Sequence, residues 1–389
     1  MNKLPLITSI MLNVTHSCPL ACRYCFVEQE PCHMTYQTAR DATDFIIKNA
    51  EESGEVPAIN FFGGEPMVMW DSIIVPLTDW IRQEYGKPFN LSITTNGVLL
   101  DSERIKFMSN NGFGMLLSID GAKETQDYNR PFHDGRGSFS ILEPIIPKIL
   151  EVFPNTTFRS TIIPATCHHM FENILFAEQN GFNNFFIIPN VFEKWNKEQK
   201  NILQNQLRLF SDYFIKQCRE GKKTIKFSPL FDRFKEILQI NNAITNKLYR
   251  TGRSCTACGK CGLGANRFAS IHPNGDLYGC QEMTSNEGPT SPFYIGNIYS
   301  GVNDNRRLAL MNMYDSSKIV GENCVTCKFN RICDGDCIAN NYLINHDVNR
   351  NLEMMCYWKQ ILLNEAIYIS QILGTEENET FFKIWRENT

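Results

Sequence analysis

The chain has 389 residues with 43% hydrophobic and 21% charged positions and a formal net charge of −4, a balance that excludes a disordered chain and a dominant nucleic-acid field. Its length suits two or three domains. No apolar run approaches the roughly 18 residues of a membrane span and no signal peptide opens the chain, so membrane insertion is excluded and a cytoplasmic location is expected.

Cysteine is the outlier. There are 15, and 12 fall in three groups: Cys18, Cys22 and Cys25; Cys255, Cys258, Cys261 and Cys280; and Cys324, Cys327, Cys333, Cys337 and Cys356. In a reducing compartment such groups bind metal more often than they form disulfides. Cys32, Cys167 and Cys218 stand apart and read as small buried residues.

In chain order, β-branched and aromatic runs at 7–14, 58–62, 89–95, 113–119, 157–163 and 184–189 alternate with segments of helical period near 36–53, 70–85, 101–111, 138–152, 168–180 and 196–220. Gly54, Gly86, Gly112 and Gly181 stand where helix C-termini are expected. Six βα units imply a parallel sheet curled into a partial (β/α)6 barrel, with chemistry at the carboxyl ends of its strands. A flat, doubly wound sheet is the alternative. Residues 221–252 read as a helical connector. From 253 onward the chain is turn-rich, with a hairpin signal at Pro273-Asn274-Gly275-Asp276, and it ends in a helical stretch and tail over 362–389.

The first strand runs into Cys18-x3-Cys22-x2-Cys25. A closed zinc site needs four ligands, whereas a cubane held by three cysteines leaves one iron open. A zinc site borrowing His16, Cys32 or His33 is the alternative reading of the same segment. At the end of strand two stands Gly63-Gly64-Glu65-Pro66, where paired glycines permit close backbone approach and a carboxylate can accept from an ammonium. Asn96-Gly97, after strand three, suits a tight turn and a ligand contact equally.

CxxxCxxC with an aromatic before the last cysteine, followed by GGEP at strand two, resembles the radical S-adenosylmethionine (SAM) enzymes. The resemblance implies a [4Fe-4S] cluster on Cys18, Cys22 and Cys25 whose open iron chelates SAM, and reductive cleavage of SAM to methionine and a 5′-deoxyadenosyl radical. It also implies SAM contacts from Tyr24, Gly63, Gly64, Glu65, Pro66, Ser118 and Arg130. The later cysteines resemble a SPASM domain covering 253–361, which implies two auxiliary [4Fe-4S] clusters and three in all. By that resemblance, and by the ferredoxin habit of lending the cysteine after an x3 gap to the other cluster, Cys324, Cys327, Cys333 and Cys356 hold one. Cys255, Cys261, Cys280 and Cys337 hold the other. Cys258 departs from the pattern, as a substitute ligand or a free thiol.

Enzymes of this kind mostly modify peptides or proteins. The segments 21–29 and 62–67 look most like maturases of peptides with repeated cysteine motifs, which implies a precursor-peptide substrate, a thioether product and an external electron donor of flavodoxin or ferredoxin type. In the sulfatase-maturing group an aspartate base follows the cysteine at position 280; here it is Gln281, and an amide accepts no proton at neutral pH, unless Glu282 or Asp276 takes over. Sulfatase maturation and peptide epimerisation are the rival reactions, and an iron-sulfur electron carrier the rival without catalysis. A first strand beginning near residue 7 leaves no room for a preceding leader-binding domain, so leader recognition is expected elsewhere or from a partner.

Overall fold

The computed structural model describes residues 4–234, 237, 266–314, 324, 326–330 and 337–388. Six strands fall where the alternating runs place them: β1 (Ser9–Thr15), β2 (Ala58–Gly63), β3 (Asn90–Thr95), β4 (Phe113–Ser118), β5 (Thr157–Ile162) and β6 (Asn184–Pro189). Each pairs in parallel with the next, and the two-residue β7 (Lys226–Phe227) continues the series. The order β1 to β7 never reverses, so there is no switch point of the doubly wound kind. The strands form a partial barrel, open between β7 and the far edge.

On the other side of β1 lies β8 (Phe268–Ile271), also parallel, with Leu12 opposite Ile271. The antiparallel β9 (Asp276–Tyr278), β10 (Tyr294–Asn297) and β11 (Gly301–Val302) extend the same sheet. The expected turn at 273–276 joins β8 to β9, with Gly275 at φ +91°. One sheet therefore runs from the barrel into the cysteine-rich half.

Helices cover the sheet where the periodicity predicts them. α1 (Tyr36–Ser53) starts at Thr35, whose hydroxyl accepts from Thr38 N–H, and stops at the left-handed Gly54. The stretch near 70–85 winds irregularly through α2 (Val75–Trp80) and flanking π turns. α3 (Ser102–Asn110) and the short polar α4 (Lys123–Asn129) follow. The segment expected as one helix at 138–152 is two, α5 (Phe139–Leu142) and α6 (Ile146–Val152), because Pro144 between them has no N–H to continue the ladder. α7 (Met170–Gln179) and α8 (Lys197–Arg219) complete the barrel, α8 opening with a reciprocal Asn196/Gln199 capping box. The core between layers is aliphatic and aromatic, including Leu12, Phe61, Ile93, Leu117, Phe158 and Phe185, all essentially buried.

Beyond the sheet come α9 (Asp304–Met313), α10 (Ile338–Asn345), α11 (Glu353–Thr375) and α12 (Glu379–Asn388). α11 runs unbroken across residue 361 and packs on α8. Among the described residues no helix is long and apolar enough to cross a membrane.

Candidate active site

The loop leaving β1 carries Cys18, Cys22 and Cys25, and a nitrogen donor meets each sulfur. Leu20 N–H and Asn96 Nδ2 each stand 3.4 Å from Cys18 Sγ; Arg130 Nη1 lies 3.9 Å from Cys22 Sγ; Gln29 Nε2 lies 4.0 Å from Cys25 Sγ. Burial pushes the Cys18 thiol up to about 12 and the Cys22 thiol up to about 11. Ligation would have to displace those protons, and donors aimed at sulfur fit thiolates carrying an anionic cluster.

Gly63 and Gly64 make the close approach that their pairing suggested, but to protein. A Cβ at Gly63, whose φ is +133°, would stand 2.1 Å from the Thr15 carbonyl oxygen; one at Gly64 would stand 2.5 Å from the His16 and Ser17 oxygens. Gly64 N–H donates to Thr15 O at 2.8 Å and Glu65 N–H to Ser17 O at 2.9 Å. The glycines thus seat the root of the cysteine loop on the end of β2.

Glu65 is 1% exposed. Its Oε1 accepts from Met67 N–H at 3.1 Å and Thr95 Oγ1 at 2.8 Å, and its Oε2 from Asn96 N–H at 2.8 Å. A carboxylate offers about four acceptor positions, so one on Oε2 remains for a ligand cation. Burial pushes this carboxyl up to about 7 against those hydrogen bonds. Asn96, which sequence alone left between turn and ligand, bridges Glu65 and Cys18.

Sequence reasoning missed the hub at Asp120. Fully buried after β4, it accepts from Tyr24 Oη at 2.5 Å, Asn129 Nδ2 at 2.9 Å and Thr161 N–H at 3.0 Å, and pairs with Arg130 Nη2 at 3.1 Å. Burial alone would lower the Arg130 guanidinium, but Asp120, Tyr24 and Cys22 hold it above its ordinary value. Arg130 Nε is buried and unpartnered, a donor available to a ligand carboxylate. Ser118 ends β4, half-buried and opposite Arg159 of β5. The spare acceptor on Glu65 and the spare donor on Arg130 fit the ammonium and carboxylate of an amino acid.

Of the residues offered as a fourth zinc ligand, His33 is engaged by Thr15 Oγ1 at 2.8 Å, while His16 and Cys32 lie together beyond the loop. Burial, and then neighbouring His272, lower the His16 imidazole.

In the second half, Cys324, Cys327 and Cys356 line one cavity of about 930 Å³ with Trp195, Phe329 and Leu363, a donor set that fits a thiolate-bound metal group. Cys280 follows β9, with Gln281 Oε1 3.8 Å from its sulfur, and Cys337 caps α10. Cys255, Cys258, Cys261 and Cys333 lie outside the described residues. Asp276 is buried and accepts from Asn274 Nδ2 at 2.9 Å and Asn297 Nδ2 at 2.8 Å. Glu282 is half-buried; burial raises its carboxyl, and the charge of Arg159 opposes this.

Residues 12–177 match the radical SAM superfamily, and this part of the chain is a radical SAM domain, which implies SAM and one [4Fe-4S] cluster. Among its relatives is the cysteine-type anaerobic sulfatase-maturating enzyme of Clostridium perfringens, 22% identical over 358 residues that cover 86% of this chain and 89% of that one. The AdoMet-bound structure of anSMEcpe superposes with a TM-score of 0.70 at 19% identity, covering 95% and 96% of the two chains. Streptococcus suis SuiB bound to its precursor peptide SuiA superposes with a TM-score of 0.61 at 16% identity, covering 91% and 77%. The two superpositions establish the fold.

Proposed function

We propose that this chain is a maturase of ribosomally made peptides that joins a cysteine sulfur to a carbon of another residue as a thioether. The observation that carries this is at Cys280, where the neighbouring side chain is the Gln281 carboxamide, which cannot take a proton. Asp276 is spent on two asparagines. The similarity to SuiB, a protein solved with a precursor peptide, and to sulfatase-maturating enzymes supports a peptide or protein substrate.

SAM and its cluster, when bound, supply a radical able to take hydrogen from carbon. The chain's own residues bind and orient. Cys18, Cys22 and Cys25 would hold the barrel cluster, the open acceptor of Glu65 the SAM ammonium, Arg130 Nε its carboxylate, and Tyr24 and Ser118 would border the ligand. Cys324, Cys327, Cys333 and Cys356 would hold one auxiliary cluster; Cys255, Cys261, Cys280 and Cys337 the other. A flavodoxin or ferredoxin would deliver the electron, and a reducing cytoplasm would keep the thiols reduced.

A second reading, formylglycine formation, is favoured by Glu282, the half-buried carboxylate near Arg159 that could serve as base. One experiment separates them. The anaerobically reconstituted enzyme is given reductant, SAM and a cysteine-containing peptide encoded beside its gene. A thioether removes two hydrogens and one alkylatable thiol while keeping the sulfur, and deuterium on the acceptor carbon reaches 5′-deoxyadenosine. Loss of sulfur would establish formylglycine formation, and a product that still reacts fully with a thiol-alkylating reagent would eliminate the thioether.

A further inference from the structure

A further group of metal-ligating side chains gathers outside all three proposed iron-sulfur sets. His16 lies where β1 passes into the cysteine loop. Cys32 is on the limb by which that loop returns: its carbonyl accepts from His16 N–H at 2.9 Å, and an isolated bridge joins Thr15 to His33. His272 follows β8, the parallel neighbour of β1. Segments far apart in sequence thus meet at one strand end, where one ligand atom of each residue lies within 4.8 Å of the others.

The ring centroids of His16 and His272 are 5.2 Å apart, edge to face. Both histidines are buried, at 8% and 3% exposure, and Cys32 is half-buried. Independently of this clustering, His16 Nδ1 is buried without a hydrogen-bond partner. An orphaned imidazole nitrogen is uncommon, because burial removes its water and nothing replaces it.

His272 has both ring nitrogens held by neighbouring asparagines. Its Nδ1 stands 2.9 Å from Asn274 Oδ1, closer than the 3.3 Å to the backbone N–H of the same residue. Asn274 Nδ2 donates to Asp276, which fixes the carboxamide with its oxygen toward the ring. Ligation through Nε2 would take the tautomer with its proton on Nδ1. Nε2 lies 2.9 Å from Oδ1 of Asn286, an exposed residue whose amide can turn away. A ring nitrogen that donates to a fixed outer partner while the other faces the metal is the usual arrangement of a histidine ligand.

We propose that His16, Cys32 and His272 form a mononuclear zinc site that fastens the cysteine loop to the first strand of the cysteine-rich half, with a fourth position open to water or an incoming thiolate. Two imidazoles and one thiolate are a donor set that zinc takes in tetrahedral geometry. With bonds of about 2.0–2.3 Å, tetrahedral ligand atoms sit roughly 3.3–3.8 Å apart, so the trio would close by at most about 1.5 Å on binding. The site shares no ligand with the iron-sulfur sets, and its failure would leave the proposed reaction untouched.

The full-length protein, reconstituted anaerobically with iron and sulfide, is equilibrated with Zn2+, desalted, and assayed for both metals and for zinc K-edge X-ray absorption. The expected result is about one zinc per chain, with one sulfur and two imidazoles in its shell. Cys32→Ser and His272→Gln should each weaken zinc retention at least tenfold while iron per chain stays as in the unaltered protein. Absence of zinc from the unaltered protein, an all-sulfur shell, or zinc content unchanged in both variants would overturn the site. Should both variants lose iron as well, the absorption spectrum of the unaltered protein decides alone.

Discussion

At the scale of single residues the site depends on two buried carboxylates with opposite tasks. Glu65 has its carboxyl raised to about 7 from an ordinary 4.5. In the protein without SAM, the folded state holds that proton while the unfolded chain has lost it. Its contribution to stability therefore declines as pH rises from about 4.5 through about 7. A cationic ligand prefers the ionised form, so SAM affinity should rise roughly eightfold between pH 6 and 7.5. Glu65→Gln should remove that dependence and weaken SAM by about 1.5–3 kcal/mol. Calorimetric titration at the two pH values checks this; an affinity unchanged by the substitution would mean that Glu65 only anchors the loop. Asp120, by contrast, has its acceptors filled by Tyr24, Asn129, Thr161 and Arg130. Asp120→Ala leaves Arg130 buried and unpaired, which should cost about 3–5 kcal/mol, read by urea denaturation. Asp120→Asn should recover part of the loss by accepting from Thr161 while leaving the charge unbalanced.

At the scale of elements, the close contact between the end of β2 and the cysteine loop makes a sharper claim than a motif match. Gly64→Ala places a methyl 2.5 Å from two backbone oxygens, so the loop must move although the sheet need not. The expected outcome is normal far-UV circular dichroism with loss of about four of roughly 12 irons per chain, and full iron retention would refute the seating role. The six long strands were legible because β-branched runs alternate with helical period, and the three cysteines because their spacing is local. The strands β7 to β11 were not: two to four residues each, they are strands by virtue of their neighbours. The same physics hid Asp120 and the place of His272 beside His16 and Cys32, because their partners come from different strand ends and carry no common spacing. Pro144 was readable as a break in the helix at 138–152, and hydrophobic period alone passed over it.

At the scale of the whole molecule, two of the joints between the halves among the described residues are the shared sheet at β1 and β8 and α11 packed on α8. Three ion pairs cross the second joint among the described residues, Lys200 with Glu353, Arg208 with Glu365 and Arg219 with Glu376, and of the three acids only Glu365 is buried. Glu365 of α11 is 2% exposed, and Arg208 of α8 reaches it with Nε and Nη2, both at 2.8 Å. Tyr357 Oη also donates to Lys200 O at 2.7 Å. Cys356 sits in the first turn of α11 and faces the cavity shared with Cys324 and Cys327, so whatever loosens α11 should loosen that metal group before the barrel. Arg208→Ala leaves the carboxylate of Glu365 buried and unpaired, but the Arg208 side chain is 45% exposed and water can replace it in part. The expected cost is about 1–3 kcal/mol. Under mild denaturant the variant should lose roughly a third of its iron while SAM cleavage persists, because Cys18, Cys22 and Cys25 lie on the other joint. Replacing both partners by methionine should restore much of the stability, since a buried ion pair exchanged for apolar groups of like volume is often neutral or better. Iron content and SAM cleavage measured across a urea series decide the matter: parallel loss of the two would show that the halves unfold as one unit and that α11 is no separate latch.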